Sequence, residues 1–247
     1  MKITPLLYSY AAEERNKFDG KWNNLFAFSV SHAATFARYL DIVLERYAVA
    51  SADYAGDTRR NWDALKAGEA PSWSRERGLE LQTLVHLEIE SAYLLAKILL
   101  DRLAMHVEYV FGQARGRSLG SHHKLIDNLD AYARDRGLTG PPTALLEKAR
   151  SLREKISNYR DGEITHATNP RVTRGTTVSL EGRVAISGGM LYPTEHDQIG
   201  GHDSLTPLEL GALLDDYVEE LVAYLRVNIS RTKGYTASAG AAASPAR

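Results

Sequence analysis

The sequence predicts a mainly α-helical fold: a multi-helix bundle around one long central helix, with a small β-hairpin excursion before the last helix. Three observations carry this reading. The stretch from Leu79 to Phe111 runs for about 33 residues without a proline or glycine, in good helix formers. Amphipathic segments precede and follow it. Strand-like alternation is confined to one short region after residue 168.

Residues 1–20 mix turn formers with charges and read as a loosely held lead-in. From Trp22 to about Ala52, Leu25, Phe28, Phe36, Leu40, Val43, Leu44 and Tyr47 recur at helical spacing. Between Ala55 and Arg77 the breakers Gly56, Gly68 and Pro71 surround a short helical piece with Trp62 and Leu65. In the central helix, Leu81, Val85, Ala92, Leu95, Leu99, Leu103 and Val110 share one stripe about 100° wide. Ile89, Tyr93, Leu94, Leu100, Met105 and Phe111 lie outside it, so the helix is apolar on several sides. That surplus predicts neighbours in more than one direction and a symmetric homodimer.

The glycine-rich run from Gly112 to Ser121 is a connection. Ser121 caps a helix to about Arg136, with Leu125, Leu129 and Tyr132 inward. Gly137 to Pro142 ends it, and Thr143 caps the next, whose stripe is Leu145, Leu146, Ala149, Leu152, Ile156 and Tyr159. Thr176–Leu180 and Arg183–Ser187 alternate like strands about Glu181-Gly182, which predicts a hairpin. Thr206-Pro207-Leu208-Glu209 is a strong helix start: Thr as N-cap, Pro at N1, and Glu closing a capping box. The whole reads as one helical domain over 1–232, with the excursion at about 168–204 and a disordered tail at 233–247.

Composition narrows the functional classes. The 247 residues are 44% hydrophobic and 25% charged, enough for a real core and ordinary for a globular chain. Charges interrupt every apolar run, so no membrane span is expected. The chain contains no cysteine, which removes disulfides, thiolate metal sites and a cysteine nucleophile. Together with an N-terminus lacking an apolar signal core, this makes the cytoplasm the expected location. A net charge of −1 gives no global pull toward nucleic acid. The charge is uneven, however. Residues 148–174 hold seven basic and three acidic side chains, whereas 205–230 hold five acidic side chains against Arg226. Two neighbouring helices with complementary faces account for this most simply.

The run Ser157-Asn158-Tyr159-Arg160-Asp161-Gly162-Glu163-Ile164-Thr165-His166 resembles the motif of the HEPN superfamily: an Arg, a polar residue, and a His after four to six intervening positions. Here Asp161 is the polar residue and five positions intervene. Arg115–His122, Arg117–His122 and Arg117–His123 have similar spacing but sit in the glycine-rich turn. Arg160 instead ends an amphipathic helix, inside the apolar stripe bounded by Tyr159 and Leu146. The resemblance covers the layout of roughly residues 79–231. It implies a small, commonly dimeric helical bundle, and in many members a metal-independent ribonuclease. It makes Arg160, Asp161 and His166 the expected catalytic set, with Arg153 and Tyr159 as substrate contacts, no cofactor and RNA as the partner.

A guanidinium aimed at an apolar face needs a partner, because an unpaired buried charge costs several kcal/mol. A phosphate fits, and so does the carboxylate of Glu88. The second case leads to the alternative function, a non-catalytic helical protein for dimerisation or partner binding in which Arg160 is structural. Weaker signals point to the bland reading. Glu195-His196-Asp197 and His202-Asp203 read as a solvated loop, so no metal site is expected; Arg102 and His106 read as a core pair.

Overall fold

Six α-helices, two short 3-10 helices (Arg15–Lys17 and Ile229–Arg231) and one hairpin make up the regular structure among the described residues, and the fold is mainly α, a multi-helix bundle. The structure is a computed structural model and describes residues 1–70, 75–114, 116–159, 174–180, 183–190 and 205–232. The helices are α1 (Ile3–Glu14), α2 (Gly20–Lys66), α3 (Arg75–Phe111), α4 (His122–Arg136), α5 (Thr143–Tyr159) and α6 (Pro207–Asn228). The strands β1 (Arg174–Leu180) and β2 (Arg183–Met190) pair antiparallel, with Leu180 opposite Arg183 and Ser179 opposite Val184, where the alternation placed them. The tail from residue 233 lies outside the described residues.

Local signals set most helix ends. Ser121 caps α4 by accepting from the Lys124 N–H at 3.3 Å. The capping box forms before α6: the Thr206 N–H donates to Glu209 Oε2 at 2.8 Å, and the Glu209 N–H donates to Thr206 Oγ1 at 3.3 Å. Thr206→Ala removes one half of that exchange and should cost about 1 kcal/mol. A melting curve reads this directly, and an unchanged midpoint would show that the box contributes nothing. α5 begins with Thr143 already inside its first turn, the Leu146 N–H reaching the Pro142 carbonyl at 3.3 Å.

Two expectations need correction. The N-terminus is not a loose lead-in: α1 buries Ile3, Leu7 and Tyr10, which recur at helical spacing. Its first N–H groups, Lys2 and Ile3, donate to the Asp215 carboxylate at 2.7 and 3.1 Å. A partner more than 200 positions away supplies what no local cap does. Nor does Gly56 break the second helix. α2 continues for 47 residues to Lys66, because the buried face of Tyr47, Ala50 and Tyr54 leading up to the glycine offsets a propensity loss of about 1 kcal/mol. Gly68 ends it at φ +74°, a conformation strained for other residues.

The chain divides into two compact units that share the long helices. The first comprises Met1–Ala37, Ile98–Ser151 and Leu214–Arg247. Its core includes Leu99, Leu103, Leu125, Leu129, Leu145, Leu214 and Val218, all essentially inaccessible. Lys148 on α5 meets Glu220 on α6 at 3.1 Å, one instance of the expected charge complementarity. The second unit comprises Arg38–Lys97 and Leu152–Leu213. Leu40, Leu44, Val85, Ile89, Leu152, Ile156 and Leu210 build its core, and the hairpin belongs to it.

Candidate functional site at the end of α5

The second unit positions the residues nearest the motif. α5 buries Leu152 and Ile156 and leaves Arg153 and Tyr159 half-buried beside them. The ring of Tyr159, its last residue, stacks on Tyr93 of α3 with centroids 4.0 Å apart and planes 23° from parallel. Tyr93 is fully buried. Its hydroxyl donates to the Leu205 carbonyl at 2.6 Å and accepts from the Leu205 N–H at 2.9 Å. Burial, more than any neighbour, raises the phenol pKa far above its usual value, so the hydroxyl stays protonated. One side chain thus holds both the last residue of α5 and the residue that leads into α6.

Arg160, Asp161 and His166 lie outside the described residues. Of the expected set, Arg153 and Tyr159 are described, six positions apart on α5. Glu88 is 1% exposed, and Nη2 of Arg46 on α2 approaches its Oε1 to 2.5 Å. That is an ion pair by distance; among the described residues the same oxygen accepts no hydrogen bond of good angle. The carboxylate considered as a partner for Arg160 therefore has a cation beside it from α2. Tyr93 is the residue that periodicity missed. Its signal was chemical: a tyrosine off the main stripe of a helix packed on several sides needs a partner for its hydroxyl.

Elsewhere among the described residues, His106, His122 and His123 each have packed or paired neighbours. His106 of α3 is 2% exposed within the first unit. Ser29 Oγ lies 2.8 Å from its Nδ1, the Tyr10 hydroxyl lies 3.4 Å from its Nε2, and the ring meets Tyr10 and Phe26. Arg102, one turn earlier, lies 5.7 Å above the Phe36 ring. His106 is thus a satisfied core histidine, as its position predicted, whereas Arg102 is half-buried and reaches Met105 Sδ at 3.7 Å instead of pairing with His106. His122 at the start of α4 is buried edge-on to Tyr217, and His123 pairs with Asp127 at 3.2 Å. An apolar cavity among Phe18, Trp22, Phe26, Tyr109 and Phe111 measures about 40 Å³, far below the roughly 300 Å³ of a small-molecule site. Among the described residues no group of three side chains could hold a metal; residues 195–203, with their two histidines, lie outside them.

His106 makes acid stability a direct readout of its burial. Desolvation lowers its pKa from 6.5 to about 3. Below pH 6.5 the unfolded chain binds a proton that the folded chain refuses, so stability falls as pH drops toward 3. The loss is at most about 1.4 kcal/mol per pH unit. His106→Leu should flatten the slope of stability against pH in that window while lowering stability at neutral pH, where Ser29 and Tyr10 lose a partner. A slope identical to wild type would mean that other groups carry the acid sensitivity.

No protein-family model, curated protein or solved structure matches this chain. Among the described residues no helix is long and apolar enough to cross a membrane. Function therefore rests on the chemistry of the motif and its surroundings.

Proposed function

We propose that this chain is a HEPN-like, RNA-directed protein of the cytoplasm, acting as a metal-independent endoribonuclease. Arg160, Asp161 and His166 form its catalytic set, and Arg153 and Tyr159 contact the RNA. The observation that supports this reading best is the stacking of Tyr159, the last described residue of α5 and the one before Arg160 in sequence, on buried Tyr93. The motif thus follows in sequence directly on a residue that is held in place.

The chemistry follows from the residue types. The ribose 2′-hydroxyl attacks phosphorus, the bond to the 5′-oxygen breaks, and the products are a 2′,3′-cyclic phosphate and a free 5′-hydroxyl. A base must take the 2′ proton and an acid must protonate the leaving oxygen. Histidine titrates near neutrality and can do either; the arginine fork matches the phosphate oxygens and stabilises their charge. One Arg/His set supplies half of these groups, so a second copy completes a composite site.

The non-catalytic reading, a dimerisation or partner-binding protein with a structural Arg160, draws on a different observation: large apolar side chains exposed on α2 and α3. Incubation of the protein with single-stranded RNA in the presence of a chelator separates the two. The expected result is cleavage to cyclic phosphate ends with DNA left intact, because DNA lacks the attacking hydroxyl. Equal cutting of DNA would sink the 2′-hydroxyl mechanism, and an absence of both cleavage and RNA binding would favour the non-catalytic reading.

A further inference from the structure

Within the first unit, residues 20–37 of α2 run antiparallel beside residues 98–111 of α3. Three contacts fix the register. Trp22 and Leu25 line one cavity with Tyr109, Ser29 Oγ meets His106 Nδ1 at 2.8 Å, and the Arg102 guanidinium lies 5.7 Å above the Phe36 ring. Each helix buries one side, with Phe26, Val30 and Ala33 on α2 and Leu99, Leu103 and Val107 on α3. The other side of such a helix normally carries charge to solvent. Here the solvent side of the pair holds three rings: Phe28 is 68% exposed, Tyr109 49% and Trp22 38%.

Cations accompany these rings, and carboxylates do not. Lys21 Nζ lies 5.7 Å from the centre of the Trp22 ring, and the exposed His32 ring lies 5.4 Å from that of Phe28. Between Gly20 and Leu40 the sequence has no Asp or Glu. Residues 98–111 of α3 contain two, Asp101 and Glu108, and both are engaged in and just before α4. Asp101 Oδ1 accepts from the His122 N–H at 2.9 Å, and Glu108 Oε2 accepts from the Leu119 N–H at 2.7 Å. At 100° per residue, Arg102 and Tyr109 fall within about 20° of each other, while the two acids lie about 80–120° away around the helix. Along α2, Trp22 and Phe28 are about 9 Å apart, more than the roughly 3.4 Å rise of one stacked base, so they serve different bases.

We propose that this face binds single-stranded RNA, with bases stacked on Trp22, Phe28 and Tyr109 and phosphates met by Lys21 and Arg102. Every base has a π-face that an exposed ring can hold, and the strand's backbone needs cations beside those rings and no acid among them. An apolar protein surface has no use for the cations; a phosphate chain does. The choice of RNA as the ligand rests on the RNA-directed reading. The surface itself belongs to the first unit, whereas Arg153 and Tyr159 belong to the second. Its part is to hold a strand, not to cut it.

Titration of a fluorescently labelled oligouridine of about 15 nucleotides into the His166→Ala protein reads binding apart from cleavage. Phe28→Leu and Tyr109→Leu keep an apolar side chain but remove the ring. Each should weaken binding about 5- to 150-fold, the loss of one stacked base, with the helical circular dichroism kept. Tyr8→Leu removes a ring that is 51% exposed on α1, about 160° around that helix from buried Tyr10, and should leave binding unchanged. Lys21→Ala should reduce the slope of log affinity against log salt by about 0.7, the value for one phosphate contact on a single strand. If the protein with both rings replaced binds the strand like its parent, the face belongs to a protein partner and the proposal is overturned. Duplex RNA bound as tightly as the single strand would overturn it too, because paired bases offer no open π-face. Cleavage is assayed separately in the wild type. A protein that binds through these rings and never cuts RNA would refute the catalytic reading and leave this one standing.

Discussion

His166→Ala and Arg160→Ala are each expected to lower RNA cleavage by about 10²–10⁴-fold, the contribution of one positioned acid–base group. For histidine the loss removes a proton carrier working near its own pKa. For arginine it removes the cation that meets the developing charge on the phosphorane. Stability separates this from a folding defect. His166→Ala should shift the unfolding free energy by no more than about 0.5 kcal/mol if the imidazole awaits substrate at the surface. A drop of several kcal/mol would mark it as a packed, structural histidine. Cleavage that persists unchanged in both variants would assign the activity to another site.

Tyr93→Ala is expected to be the most damaging single change in the second unit, at about 3–5 kcal/mol, the range for deleting a buried aromatic side chain. It opens a cavity beside Tyr159 and strips the Leu205 backbone of both hydrogen bonds. Tyr93→Phe isolates the second effect: the ring stays stacked, but one donor and one acceptor lose their partner, for about 1–3 kcal/mol each at most. Urea denaturation gives both numbers, and hydrogen exchange at the Leu205 amide gives the local one. A Phe variant as stable as wild type, with that amide still protected, would show that the hydroxyl does not hold the entry to α6.

The motif and its surroundings were legible to different degrees. Arg160, Asp161 and His166 can be chosen from sequence because a three-residue pattern survives without a fold around it. What braces the end of α5 cannot. Tyr93, Tyr159 and Leu205 are separated by 66 and 46 positions, and nothing in their spacing connects them. The pairing of Glu88 with Arg46 was hidden for the same reason: a carboxylate on an apolar helix announces the need for a cation without saying which helix brings it.

By itself the sequence determined the features governed by neighbours within a turn or two. These are the central helix from near Leu79 to Phe111, the Ser121 cap, the reciprocal Thr206–Glu209 box, and the pairing of Leu180 with Arg183. Their energies depend on residues a few positions apart, so local pattern contains the answer. Only the tertiary structure decided that residues 3–14 are a docked helix, that α2 runs through Gly56, and that one buried tyrosine joins the end of α5 to the start of α6. Each of those outcomes turns on burial or a hydrogen bond supplied from far along the chain. A distant partner can outweigh a glycine's propensity loss or an uncapped helix end, and local sequence carries no record of it.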